Sequence, residues 1–200
     1  MCEVLLGSPL VGKSPLVGTF AASRGFSLVF TADAVDEVRR RFPVLGTFLN
    51  CALAPNVRAS LVSRWDRLLG QSAVPPPNAF YLNLLLLRHG SGVGPHIDAT
   101  LREESGVEDA IPELVTVLYL RTPASGGVLR LREGRRHIAD IQPSPGALLA
   151  FAGHLTHEVL PVDGEPDDGP RASLVCEQYH LPATGVARLP RCRVHTMADF

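Results

Sequence analysis

The chain has 200 residues, 46% of them hydrophobic, and a formal net charge of −1, which suits a single globular domain with a sizeable core. A balance so close to neutral excludes the broad basic field through which nucleic-acid and anionic-membrane surfaces gain affinity. Of the 19 basic residues all but Lys13 are arginine, so a buried cation that grips an acidic ligand is expected to be arginine.

In chain order, Gly7-Ser-Pro-Leu-Val-Gly12-Lys13-Ser14 matches the phosphate-cradling G-x-x-x-x-G-K-[ST] pattern. Such a loop works only if a helix begins at the Lys-Ser pair. Here Pro15 and Gly18 follow, and Ser8-Pro-Leu-Val-Gly12 is repeated as Ser14-Pro-Leu-Val-Gly18, which reads as a turn-rich segment. A nucleotide-binding loop through Gly7–Ser14 is the alternative. From Phe30 the pattern turns helical: Thr31 can cap a helix that carries Asp33 early and Arg39-Arg40-Arg41 late, as the helix dipole prefers, until Pro43 stops it. A second helix is expected from Pro55 or Asn56 to about Leu69, with Val57, Leu61, Trp65 and Leu68 on its apolar face.

Pro75-Pro-Pro77 is a stiff connector, and the β-rich part begins after it. Phe80–Leu87 reads as a strand buried on both faces, and His89-Gly-Ser-Gly92 as the loop that leads on to His96. The polar stretch from Ala99 to Pro112 is a candidate lid. Val115–Leu120 and Val128–Leu131 alternate as strands, Glu133-Gly134 suits a hairpin turn, and Arg130, Arg132, Arg135 and Arg136 fall on that hairpin as a solvent face. Pro143–Gly146 turns into Ala147–Phe151. The tail beyond His180 is uninformative. Cys2, Cys51, Cys176 and Cys192 form no C-x-x-C pair, as suits reduced thiols. No run of about 18 apolar residues spans a bilayer, and no basic n-region opens the chain. A cytoplasmic protein is expected.

The chemistry gathers on His96-Ile-Asp98. Side chains two apart share one face of a strand, so this imidazole and carboxylate can reach one ion together. His154 and His157 compete to supply a third ligand from the stretch Phe151–Val162. Two imidazoles and one carboxylate with open positions suit non-haem iron(II) and oxygen. Neither histidine belongs to an H-E-x-x-H helix, which excludes a zinc protease. Arg171 and Ser173 again share a face, where a guanidinium fork and a hydroxyl could hold a carboxylate; the plain alternative is an edge arginine paired with a surface acid.

Gly94-Pro-His96-Ile-Asp98, Thr116–Leu120, Gly126-Gly127-Val-Leu129-Arg-Leu131, Pro143–Phe151, His157-Glu-Val-Leu-Pro-Val162 and Arg171-Ala-Ser173-Leu follow one another in an order that resembles the 2-oxoglutarate/iron(II)-dependent oxygenases, especially their small prolyl-hydroxylase-like branch. The resemblance covers roughly residues 80–180. It implies a mainly β fold with N-terminal helices (α+β) around a double-stranded β-helix, a jelly-roll, cupin-like core. Short strands between Gly and Pro turns point the same way. The expected layout is one domain over 1–200, with a helical supporting segment at 1–78, the catalytic core at 79–183 and a tail at 184–200.

The resemblance also selects His157 over His154, which becomes a supporting or surface residue, and so gives His96, Asp98 and His157 as metal ligands. It implies that Arg171 and Ser173 bind the distal carboxylate of 2-oxoglutarate. Relatives often have tyrosine at the place of His89 to touch the oxo acid, so Tyr81, Tyr119 or His89 itself would substitute. The implied activity consumes Fe(II)-bound O2 and 2-oxoglutarate, with ascorbate as an optional reductant, releases succinate and CO2, and hydroxylates an unactivated C–H bond. Relatives that halogenate lack a carboxylate at the position of Asp98. A small molecule, amino acid or peptidyl residue would be the substrate; a nucleic acid would need a basic groove and stacking aromatics, and oligomeric state is not legible. A non-catalytic metal-binding jelly roll is the remaining alternative.

Overall fold

A computed structural model of the chain describes residues 1–13, 18–20, 22–58, 76–164 and 169–198. Its strands are β1 (Gly12–Lys13), β2 (Arg24–Thr31), β3 (Ala79–Leu87), β4 (Val93–His96), β5 (Leu114–Arg121), β6 (Ser125–Gly126), β7 (Leu129–Glu133), β8 (Arg136–Ile141), β9 (Leu148–Ala152), β10 (Thr156–Val159), β11 (Val162–Asp163), β12 (Arg171–Tyr179) and β13 (Cys192–His195). The helices are α1 (Cys2–Leu6), α2 (Val35–Arg41), α3 (Gly46–Ala52), α4 (Arg102–Ser105) and α5 (Ala183–Val186). All pairings are antiparallel. The major sheet runs β1-β2-β3-β12-β5-β9, with β13 also on β2, and it faces a minor sheet ordered β4-β10-β7-β8; β11 and β6 form a short third ladder. This is the expected mainly β jelly roll with N-terminal helices.

Strand alternation explains the two layers. In β3, Phe80, Leu82, Leu84 and Leu86 point to one face and join Phe26, Leu28 and Phe30 of β2, Ala172 and Leu174 of β12, and Val38, Phe48 and Leu49 of the helices. The opposite parity, Leu85 and Leu87 with Val115, Val117, Leu129 and Phe151, lines the space between the sheets. A strand buried on both faces must read as a continuous apolar run, and β3 does so because helices cover one side and the minor sheet the other. Phe30 and Phe80, directly opposed across β2 and β3, stack with centroids 5.0 Å apart. Phe48 is 1% exposed in the helix layer. Phe48→Ala should destabilise the fold by about 3–5 kcal/mol, read as a lower urea midpoint with the slope unchanged.

The helix expected after Thr31 is present: Ala32–Ala34 form a 3-10 turn that leads into α2, and the Thr31 hydroxyl donates to the Asp33 carboxylate at 2.5 Å. Most of the second expected helix, with Trp65, lies outside the described residues. The nucleotide-loop alternative has lost its geometry. Gly12 and Lys13 are extended strand paired with Gly25 and Arg24 rather than a helix start, and a side chain at position 12 would collide with the Ala198 backbone. Ser14 lies outside the described residues.

Strands β2 and β13 have no counterpart in the sequence pattern: in the first, Arg24, Gly25 and Ser27 interrupt the apolar residues, and in the second, Arg193 and His195 alternate with Cys192 and Val194. The tail is therefore structural, with Cys192–His195 extending the major sheet along β2. The stretch 99–112 corrects the lid expectation. It forms α4 and a turn whose Leu101 and Ala110 are buried against Tyr179, so it packs on the core. On the β7–β8 hairpin Arg135 and Arg136 are exposed as expected, while Arg130 is bidentate to Asp140 at 2.8 Å for each bond and Arg132 bonds Glu158 at 2.9 Å.

Candidate metal centre

Two strands of the minor sheet carry the centre. His96 ends β4 and stands directly opposite His157 of β10, with a register shift immediately after His157. A bulge of this kind re-aims a side chain. Asp98, two residues beyond His96, returns to the same face. The ligand-capable atoms of His96, Asp98 and His157 all lie within 4.8 Å of one another. His96 Nε2 is 3.4 Å from Asp98 Oδ1, and His157 Nε2 is 3.4 Å from Asp98 Oδ2.

Each imidazole is oriented from behind. Nδ1 of His96 lies 2.8 Å from the Gly94 carbonyl and Nδ1 of His157 lies 3.1 Å from the Leu155 carbonyl. A carbonyl accepts only from N–H, so Nδ1 carries the proton and Nε2 presents its lone pair to the centre. Burial pushes His157 below the usual imidazole pKa, which keeps it neutral. Burial also opposes charge on His96, but the Asp98 carboxylate outweighs it and the net shift is upward. His96 Nε2 and Asp98 Oδ2 are buried without a hydrogen-bond partner. Orphaned buried acceptors are costly, and a divalent cation would satisfy them at once. The donor set therefore fits a metal ion, and its two imidazoles with one carboxylate match iron(II).

A second group faces the same cavity. Arg171 is 1% exposed; its Nε donates to the Gly127 carbonyl at 3.0 Å, one terminal nitrogen donates to Ser173 Oγ at 3.2 Å, and its guanidinium lies 5.1 Å from the Tyr119 ring centroid. No carboxylate among the described residues pairs with it. Burial draws its pKa down, with Tyr119 opposing. A buried guanidinium without a counter-ion is the complement of an acidic ligand. Gly127 has φ 63° and a Cβ there would meet Arg171 Cδ at 2.8 Å. Gly127→Ala should displace the guanidinium and weaken 2-oxoglutarate binding about tenfold or more, while iron(II) affinity stays at the wild-type value; both are read by titration.

His96, Asp98, His157, Arg171 and Ser173 all line one cavity. The remaining expected residues divide. Tyr119 lies beneath Arg171 with its hydroxyl buried and unpartnered. Tyr81 lines an adjoining cleft that shares His96 and Asp98 with the cavity. His89 is corrected: it is exposed in the Arg88–Gly90 turn and lines neither space, so it has no contact to offer an oxo acid. His154 is exposed in the turn between β9 and β10, 3.9 Å from Glu133. Sequence reasoning missed Phe20, Asn83 and Glu177, which also line the cavity. The signal for Glu177 was available, because it continues the period-two row of Arg171, Ser173 and Val175. Burial and the neighbouring Asp98 push its carboxyl well above the usual range.

With this geometry in place, comparison with known proteins is direct. Residues 82–176, just under half of the chain, match the model of the 2OG-Fe(II) oxygenase superfamily. No curated protein matches significantly. Among solved structures, a Trichoplax adhaerens prolyl hydroxylase in complex with a hypoxia inducible factor oxygen degradation domain peptide superposes with TM-score 0.51 at 17% identity, over 89% of this chain and 74% of that one. A Burkholderia pseudomallei oxidoreductase of the 2OG-Fe(II) oxygenase family gives 0.46 at 22% identity, over 70% of this chain and 58% of that one. A Pseudomonas putida prolyl-4-hydroxylase gives 0.43 at 21%, over 79% and 73%. The chain thus spans less than two thirds of the Burkholderia protein. The part of this chain that matches the 2OG-Fe(II) oxygenase superfamily is thus the 82–176 segment, which contains all three ligand-capable residues.

Proposed function

We propose that the chain is an iron(II)- and 2-oxoglutarate-dependent dioxygenase that hydroxylates an unactivated C–H bond of a small molecule, amino acid or peptidyl residue. The reaction balances as 2-oxoglutarate, O2 and R–H giving succinate, CO2 and R–OH. The observation that carries this reading is the pairing of a buried, unsatisfied His96–Asp98–His157 cluster with a buried, unpaired Arg171 on the walls of one cavity. A metal-storing jelly roll would have no use for the second feature.

His96, Asp98 and His157 would hold iron(II), which when bound supplies the oxygen-activating redox chemistry. Nδ1 of each histidine keeps its proton on a backbone carbonyl, so Nε2 stays available for coordination. Asp98 supplies the carboxylate that halogenating relatives lack, which supports hydroxylation. Arg171 and Ser173 would receive the distal carboxylate of 2-oxoglutarate, the guanidinium being held to face it by Gly127 and steadied by the Tyr119 ring. Val115, Val117, Leu129 and Phe151 keep the cavity walls apolar, which limits water beside the reacting atoms. Phe20 packs edge-on against His96, centroids 4.9 Å apart, and closes another side.

The test is an anaerobic titration of the full chain with iron(II) and then 2-oxoglutarate. A visible charge-transfer band of the chelated keto acid is expected, followed by succinate on admission of O2. Iron(II) binding without that band and without succinate would leave a non-catalytic metal protein.

A further inference from the structure

His96 and His157 are each held from behind by a backbone carbonyl, and both sit in the β4–β10 ladder. Asp98 has neither support. The ladder ends at the His96–His157 pair, so Asp98 lies two residues beyond the last residue of β4, and its Oδ2 is buried without a hydrogen-bond partner. Side chains two apart share a face only while the chain stays extended. The backbone after Asp98 must therefore be fixed by something else if the carboxylate is to stay on the imidazole side.

The residues that follow are tied to an interior strand of the major sheet. Thr100 donates its hydroxyl to Glu177 Oε1 at 3.0 Å, and the Thr100 backbone N–H donates to the same carboxyl. The Leu101 backbone N–H donates to the Tyr179 hydroxyl, which in turn donates to Glu177 Oε2. Glu177 and Tyr179, two residues apart on β12, share one face of the strand and are 3% and 0% exposed. β12 is paired on both sides, Glu177 standing between Tyr81 of β3 and Val115 of β5, so the anchor is itself held by two ladders. The clamp needs no charge on Glu177. Burial and the neighbouring Asp98 push its carboxyl toward the neutral form; in that acid Oε1 still accepts from Thr100, and Oε2–H donates to the Tyr179 oxygen in place of the reverse.

We propose that Glu177 and Tyr179 are positioning residues for the metal centre: by clamping Thr100 and Leu101 to β12 they fix the chain beyond β4, so that Asp98 meets the same ion as His96 and His157. The inference rests on the ligand assignment made in the dioxygenase reading. It gives Asp98 the orienting support that Gly94 and Leu155 give the two imidazoles.

The experiment compares Glu177→Gln and Glu177→Leu with wild type, by amide hydrogen exchange of the metal-free chain and by anaerobic titration with iron(II) and then 2-oxoglutarate. Glu177→Gln keeps an oxygen for Thr100 and turns an N–H to the Tyr179 oxygen, so the Thr100 and Leu101 amides should exchange, and iron(II) should bind, as in wild type. Glu177→Leu keeps an apolar side chain of similar size and loses every bond of the clamp. Those two amides should then exchange about tenfold faster or more, and iron(II) affinity should fall about 10–100-fold, the range for residues that support a metal ligand. A purely structural role would lower the thermal midpoint of the metal-free chain and leave the iron(II) affinity of the folded chain alone. Wild-type affinity in a folded Glu177→Leu chain, or a loss in Glu177→Gln as large as that in Glu177→Leu, overturns the proposal. Should Glu177→Leu fail to fold, Thr100→Val is read instead, and an unchanged affinity there overturns it as well. The two readings fail separately. A wild-type chain that binds iron(II), loses affinity on Glu177→Leu and develops no keto-acid band sinks only the dioxygenase; a chain that develops the band while Glu177→Leu binds iron(II) as wild type does sinks only the clamp.

Discussion

Replacing Asp98 or His157 with Ala is expected to abolish iron(II)-dependent succinate formation. The three ligand atoms lie within 4.8 Å of one another and no other cluster of metal-capable side chains is found among the described residues, so nothing stands ready to replace a lost ligand. Changes to residues that merely support a metal ligand cost about 10–100-fold in affinity; removing a ligand should exceed the upper figure, as read by iron(II) titration and by succinate release. Unfolding must be separated from loss of the ion. Asp98 Oδ2 is buried without a hydrogen-bond partner, so the metal-free fold pays for a carboxylate that only the ion would satisfy. Asp98→Ala should therefore leave the thermal midpoint of the metal-free chain unchanged or higher. A variant that stays folded and still releases succinate would overturn the ligand assignment.

The second large effect concerns Arg171. Truncating one partner of a buried charged pair typically costs about 2–5 kcal/mol, equivalent to about 30-fold or more in affinity. Arg171→Ala should raise the 2-oxoglutarate requirement by at least that factor, with iron(II) affinity and the requirement for the primary substrate essentially unchanged. Arg171→Met, which refills the volume without charge, should show the same loss of 2-oxoglutarate binding but a metal-free chain at least as stable as wild type, because the guanidinium is buried with no counter-ion. Equal effects on both substrates would place the clamp elsewhere.

Much of the centre was legible because it is written in period two. His96 and Asp98, and Arg171 and Ser173, are pairs whose spacing puts both side chains on one face, and the cavity confirms both faces. The choice between His154 and His157 was not a matter of spacing. It depends on where β10 begins, and the register that sets His157 opposite His96 is tertiary. Glu177 obeys the same period as Arg171, yet an acid inside an apolar strand attracts notice only once the strand is known to face a cavity. His89 misled because sequence proximity to the H-x-D pair does not survive the turn at Arg88–Gly90, which carries it into solvent. The 99–112 stretch misled in the opposite sense: Leu101 and Ala110, with Val107 beside them, anchor a segment rich in Glu and Asp, and their spacing follows neither the helix nor the strand period. β13 was invisible because an edge strand supported by a neighbour needs little apolar signal of its own.

The alternation of β12 has a chemical corollary for Cys176. It sits beside Glu177 in the chain but projects to the helix-covered face, fully buried, and burial pushes its thiol far above the usual range. Only the thiolate is readily oxidised. The sheet thus acts as a firewall: a sulfur one strand's thickness from the proposed oxygen chemistry stays protonated and screened, and self-inactivation at that residue is suppressed by the fold itself.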